Sequence, residues 1–287
     1  MKKILLILLC LITLCSCESS DFIVDTSDIN VLKDISTEFD FKIHSNAYMV
    51  VDLSNFKIEY AYRNDHKIFP ASLTKVVTLD AVLNLADNLY DTSYVTYDQV
   101  EALIKEDASL AYIQRDYEYT LKDLLYALIL PSGADGALAL ENYFNDRGID
   151  LIEEMNKHCE KLGCTNSNFV NTTGLHDNNH YTSLNDLFLV VMDVLKFEDG
   201  REIMESLYHT LDDGLLISTG VRATRNNKTT VLGGKTGYTP EAGQNIIVLY
   251  KNKGRSYVLL TANAYGSYLN DEYFHFDDAL NIFEHLY

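Results

Sequence analysis

The chain has 287 residues, 47% of them hydrophobic and 23% charged, with 42 acidic against 23 basic side chains and a formal net charge of −19. That apolar fraction can fill one large domain or two intimate lobes, and the acidic balance repels nucleic acid and anionic lipid head groups. Of the five cysteines, Cys10, Cys15 and Cys17 crowd the N-terminus, which excludes a disulfide framework and a cysteine zinc site.

The first residues have the form of an export signal. Lys2 and Lys3 precede an apolar run from Ile4 to Leu14 that is too short for an ordinary spanning helix. The run ends in Leu14-Cys15-Ser16-Cys17, which resembles a bacterial lipobox and marks Cys17 as the lipid-bearing residue once 1–16 are removed. The alternative is a plain secretory peptide with incidental cysteines. Multiple acyl chains on Cys17 would hold the protein at a membrane surface, so the expected location is extracytoplasmic, anchored to the bacterial cell membrane. Residues 17–45 read as an acid-rich tether and 46–287 as a single folded domain. Within that domain Cys159 and Cys164 remain, as a local bridge or as two thiols.

The runs AYMVVDL and FKIEYAY flank Ser54-Asn55 and predict a β-hairpin. Ser54 and Lys57 form a Ser-x-x-Lys pair, but the serine belongs to the turn and the lysine to a strand position that faces water. A second such pair, Ser72 and Lys75, follows Pro70 at the start of a run to Ala86 that is apolar on nearly every side and predicts a core helix. Positions i and i+3 share a helix face, so Ser72 and Lys75 stand side by side at its N-terminal end. There, free N–H groups and the helix dipole favour developing negative charge. Desolvation lowers a lysine pKa and lets the neutral amine take a proton from the serine. The pair therefore fits a nucleophile and its base. The bland alternative is a serine at a helix start beside a snorkelling lysine.

Downstream, Tyr119-Thr120-Leu121-Lys122-Asp123 opens an apolar helix that stops at Pro131-Ser132-Gly133-Ala134-Asp135, and a further helix begins near Gly136. A helix near 150–162 leads to the loop NFVNTTGLHDNNHY. Ser183-Leu184-Asn185-Asp186 then caps the run LFLVVMDVL, which gives Asp186 a structural role. Val231 to Tyr238 leads into two strand patterns, QNIIVLY and SYVLLTANA, joined by a Gly-containing hairpin loop at 251–255. A final helix covers DDALNIFEHLY. No metal, nucleotide or flavin motif occurs, and no cofactor is expected.

Ser72-Leu73-Thr74-Lys75, Ser132-Gly133-Ala134 and Lys235-Thr236-Gly237, in that order, resemble the three motifs of the penicillin-recognising serine enzymes. Within them the chain looks like the low-molecular-mass penicillin-binding proteins that are serine-type D-alanyl-D-alanine carboxypeptidases. The matching segments are FPASLTKVVTLDAVL, YTLKDLLYALILPSGADGALALENY, NFVNTTGLHDNNHYTSLNDL and GGKTGYTPEAGQNIIV. Two departures stand out: Ala134 replaces the usual Asn of the middle motif, and the sequence ends at the last catalytic-domain helix, where many members continue into a β-domain and an amphipathic anchor.

The resemblance implies an α/β fold of the β-lactamase/transpeptidase type, with an antiparallel sheet of about five strands, a covering terminal helix, and a helical lobe over about 72–210. Its implied partners are peptidoglycan stem peptides, with β-lactam antibiotics as covalent inhibitors. Ser72 would attack, Lys75 would take its proton, and Ser132 would relay a proton to the leaving group. Lys235 and Thr236 would hold the substrate carboxylate, Gly237 would let substrate backbone pass, and the backbone N–H groups of Ser72 and Tyr238 would form the oxyanion hole. The rival readings are a β-lactamase, disfavoured because the loop NFVNTTGLHDNNHY holds no Glu, and a non-catalytic β-lactam or wall-peptide sensor, favoured only by Ala134.

Overall fold

The computed structural model describes residues 39–221, 229–266 and 268–285. The signal segment and Cys17 lie outside the described residues. In chain order the first elements are β1 (Ala47–Asp52), β2 (Lys57–Tyr62), α1 (Thr74–Leu85), β3 (Thr92–Ser93), α2 (Tyr97–Lys105) and β4 (Tyr119–Thr120). Then come α3 (Leu121–Ile129), α4 (Ala134–Asn145), α5 (Leu151–Leu162), α6 (Leu184–Val194) and α7 (Glu198–Glu205). The C-terminal part holds β5 (Tyr208–Thr210), β6 (Leu216–Ser218), β7 (Thr229–Thr239), β8 (Gly243–Asn252), β9 (Arg255–Ala264) and α8 (Phe274–His285).

Five strands form one antiparallel sheet in the order β2-β1-β9-β8-β7, so the N-terminal hairpin joins the C-terminal strands. Successive side chains on a strand point to opposite faces, and both faces here are covered. Met49, Val51, Ile247, Leu249, Val258 and Leu260 belong to the core shared with the helices. Val50, Ile246, Val248, Leu259 and Tyr250 belong to a second core with Ala279, Ile282 and Phe283 of α8. Double burial is why AYMVVD reads as an unbroken apolar run rather than an alternating one.

The segment expected as tether has its end, 39–45, laid against this second core. Phe39, Phe41 and Ile43 pack on it, and Asp278 of α8 accepts hydrogen bonds from the backbone N–H groups of His44 and Ser45 at 2.8 Å each.

Helix α1 is buried from Thr74 to Leu83 and lies among α3, α5 and α6. Regular α-helix begins at Thr74, two residues later than the sequence suggests. Ser72 sits in a preceding 3₁₀ turn, Ala71–Leu73, where the Leu73 N–H bonds the Pro70 carbonyl at 3.1 Å. Ala71 has φ 48°, a conformation that turns the chain sharply before the helix. Thr74 Oγ1 closes the turn by donating to the Ala71 carbonyl at 2.8 Å. Among the described residues no helix is long and apolar enough to cross a membrane. Cys159 and Cys164 are free thiols.

Candidate active site

The turn carrying Ser72 is fixed from two sides. Asn245 of β8 donates to the Phe69 and Pro70 carbonyls at 3.0 and 3.2 Å. From the helical side, His180 reaches the Thr74 hydroxyl at 2.7 Å through Nε2. Its Nδ1 accepts the Val170 N–H at 3.1 Å, so Nε2 carries the ring proton and donates it. Burial pushes the His180 pKa down to about 4, which keeps the ring neutral and this tautomer in place.

Lys75 is almost fully buried. Its Nζ lies 3.1 Å from Ser72 Oγ and 2.5 Å from the carbonyl of Thr173, which lies in the loop between α5 and α6. Burial lowers its pKa to about 7, against an opposing pull from the Asp135 carboxylate. Near neutrality a large fraction is therefore the free amine, able to take the Ser72 proton. Ser54 and Lys57 show the contrast: Ser54 Oγ bonds its neighbour Asp52, and Lys57 is exposed at the start of β2.

Ser132 has a left-handed backbone, φ 65°, and its Oγ is buried without a hydrogen-bond partner. A buried hydroxyl left unpaired is costly and is common where a substrate group completes it. Its neighbour Ala134 bonds the Ser109 carbonyl through its N–H at 2.8 Å and lines the cleft with a methyl group. Asp135 turns away from the cleft and accepts the N–H groups of Ala111 and Ile113 at 2.8 and 3.2 Å, pinning the wall that precedes α3. Burial raises the Asp135 pKa.

On the opposite side β7 is the edge strand of the sheet, so its outward N–H and C=O groups are open to a peptide. Gly237 stands where a Cβ would come within 2.9 Å of the Pro70 carbonyl and 3.1 Å of the Ser72 nitrogen. Only glycine lets β7 approach the serine turn this closely. Lys235 is buried with Nζ 2.8 Å from the Thr236 carbonyl, and burial together with the Lys75 charge holds its pKa well below the ordinary lysine value. Two lysines thus share one enclosed region with no ion pair to either among the described residues, an arrangement suited to an anion.

Ser72, Lys75, Ala134 and Tyr238 line a cleft of about 350 Å³, together with Thr173, Gly174 and the acidic pair Glu106 and Asp107. Ser132, Lys235 and Thr236 are not among the residues that line it. Several contributors were not visible in the sequence: the Thr173 carbonyl, Asp135, Asn245, His180, and Gly174, where any Cβ would collide with the Ala71 carbonyl. An Asn-Thr-Thr-Gly stretch before a polar loop is the only local signal, since Asn171 caps Thr173 and Gly174 through its side chain.

A serine–lysine pair at the mouth of a core helix, facing the edge strand of a five-stranded antiparallel sheet, defines a penicillin-recognising serine enzyme. The family model described as D-alanyl-D-alanine carboxypeptidase, peptidase family S11, matches residues 33–265, and the chain belongs to that family. Among curated relatives it is 25% identical over 201 residues to the D-alanyl-D-alanine carboxypeptidase DacF of Bacillus subtilis (68% of this chain, 51% of DacF). It is 27% identical over 215 residues to the DacA enzyme of Haemophilus influenzae (72% of this chain, 53% of DacA). The chain thus spans about half the length of these relatives. The fold matches the crystal structure of the Streptomyces K15 DD-transpeptidase, with TM-score 0.72, 20% identity, and 86% of this chain and 98% of that one covered. It also matches penicillin-binding protein D2 of Listeria monocytogenes in its ampicillin-bound form, with TM-score 0.70, 24% identity and coverage of 86% and 98%.

Proposed function

We propose that the protein is a serine D-Ala-D-Ala carboxypeptidase that removes the terminal D-alanine from peptidoglycan stem peptides through an acyl-enzyme and is acylated by β-lactams. The observation that carries this reading is the buried Lys75 amine, 3.1 Å from Ser72 Oγ with its pKa lowered to about 7. Neutral Lys75 accepts the Ser72 proton as Oγ bonds the penultimate D-Ala carbonyl carbon. The backbone N–H groups of Ser72 and Tyr238 take the oxyanion, a contact worth ~3 kcal/mol per donor. Ser132 passes a proton to the D-alanine nitrogen as the C–N bond breaks, and water then hydrolyses the ester. Lys235 and the Thr236 hydroxyl anchor the terminal carboxylate, whose negative charge favours the protonated form of Lys235 on binding.

Wall chemistry of this kind takes place outside the cytoplasm. We place the protein on the outer face of the cell membrane, held by lipid on Cys17 after loss of 1–16, with 17–45 leading into one catalytic domain over 46–287. Slow β-lactam turnover is expected, because the loop beside Lys75 offers a backbone carbonyl and no Glu of its own. The nearby Glu141, from α4, is engaged by the Thr172 hydroxyl at 3.0 Å.

The test is mass analysis of a pentapeptide ending in D-Ala-D-Ala after incubation with wild type and with Ser72→Ala. Loss of one D-alanine with wild type alone supports the proposal. No release by either protein would identify a sensor, and rapid multiple turnover of a chromogenic cephalosporin would identify a β-lactamase.

A further inference from the structure

Three side chains from three helices converge: Asp80 of α1, His158 of α5 and Asp193 of α6. His158 Nε2 lies 2.9 Å from Asp193 Oδ2 and 3.2 Å from Asp80 Oδ2. Asp80 is fully buried, five positions after Lys75 on the same helix, and its Oδ2 has no hydrogen-bond partner of proper geometry. A single ring N–H cannot align with two carboxylate oxygens at once, so one of them is left aimed at a shared point.

We propose that Asp80, His158 and Asp193 are the ligands of a structural zinc site that ties α1, α5 and α6 together behind the active site. The three ligand atoms lie within 4.8 Å of one another. The two edges at 2.9 and 3.2 Å approach the roughly 3.3 Å edge of a tetrahedron built on zinc–ligand bonds of ~2.0 Å. One imidazole with two carboxylates suits zinc better than calcium or magnesium, which take all-oxygen sets.

Surrounding groups orient the ligands. Lys196 Nζ holds Asp193 Oδ1 at 2.6 Å, which directs Oδ2 inward. The Asn84 amide lies 3.3 Å from Asp80 Oδ1 and 3.1 Å from Asp193 Oδ2. The same nitrogen donates to the Asp80 backbone carbonyl at 2.9 Å, so Asn84 orients the two carboxylates. A cavity of about 270 Å³ lined by Asn84, Glu154, His158 and Lys161 gives solvent a path to the imidazole and room for a water in the fourth position. The three ligands are spread over more than a hundred residues of sequence, which is why no spacing motif announces them.

The test uses the full chain, stripped with chelator and titrated with zinc by calorimetry, with calcium as a second titrant. One zinc per chain is expected, with proton release seen as a dependence of the heat on buffer ionisation enthalpy, a higher melting temperature, and no comparable response to calcium. Asp80→Asn and His158→Gln should each weaken zinc at least about tenfold, and Asn84→Ala about tenfold. All three variants should keep acylation by labelled penicillin, which doubles as the check on folding. Cobalt substitution of wild type supplies an arm that needs no variant: tetrahedral ligand-field bands without thiolate charge-transfer bands are expected. Thiolate bands would place the metal on Cys159 and Cys164 and overturn the proposal, as would undiminished zinc binding by the folded variants or no binding by wild type.

Discussion

Lys75 combines a pKa lowered to about 7 with Nζ hydrogen bonds to a hydroxyl and a carbonyl. The acting form is the neutral amine, so acylation by a fluorescent penicillin should rise with pH and reach half its plateau near pH 7. A flat profile between about pH 5 and 9 would remove Lys75 as the base. Asp135 pulls this pKa upward; removing its charge in Asp135→Asn should move the midpoint to lower pH while the amide oxygen still accepts from Ala111 or Ile113. The same shift has a stability cost. Because folding depresses the lysine pKa, the unfolded chain holds a proton that the folded one lacks between about 7 and 10.5. Stability therefore falls as pH drops through that window and stays flat below it. Lys75→Met should raise stability at pH 6 by on the order of 1 kcal/mol and abolish acylation, measured by denaturant unfolding beside labelling. The contact between Ser72 and Lys75 was legible because helix geometry alone brings i and i+3 together. The Thr173 carbonyl and Asp135 were not, because nothing local says which distant segment will close over a buried amine.

Elements declared themselves where one face or both were apolar over a full length. The hairpin, the core helix α1, the capped helix α6 and the C-terminal strands all follow from such runs. The loop between α5 and α6 shows no periodicity, and its conformation is imposed from outside. Asp186, read as a cap residue from its place after Ser183, does more than complete a helix start. Its side chain accepts the Asn166 N–H and the Ser167 hydroxyl at 2.7 Å each and the Thr165 N–H at 3.3 Å. It thereby fastens the beginning of the loop whose middle holds Lys75. Asp186→Ala removes the acceptor of the half-buried Asn166 N–H and leaves the Ser167 hydroxyl only Thr182 Oγ1, 2.8 Å away, and should cost about 3 kcal/mol. That corresponds to a melting temperature lower by about 6–12 °C in a domain of this size. A change within 1 °C or so would mean that the loop is held elsewhere.

At the scale of the whole molecule, the sheet and helical lobe that the family resemblance implied are found; the apolar runs by themselves point only to a mixed α/β chain. What those runs could not reveal is how the segment before the domain docks: Asp278 and residues 39–45 are more than two hundred positions apart. In the sequence the acidic balance speaks only against nucleic acid and anionic lipid as partners. The structure gives it a kinetic meaning. The cleft and the buried Lys235 lie within a protein of net charge −19, and Glu106 and Asp107 stand on the cleft's own wall. An anionic peptide or penicillin must cross a repulsive field before it meets the attractive one, and only the outer field is exposed to salt. Raising ionic strength from about 0.01 to 0.15 M shortens the screening length from about 30 to 8 Å. The second-order rate of acylation should therefore increase over this range, the reverse of the usual behaviour of electrostatically steered encounters. A decrease would show that the lysines are felt beyond the cleft. Local salt concentration at the cell surface would then act as a throttle on how fast the enzyme finds its substrate.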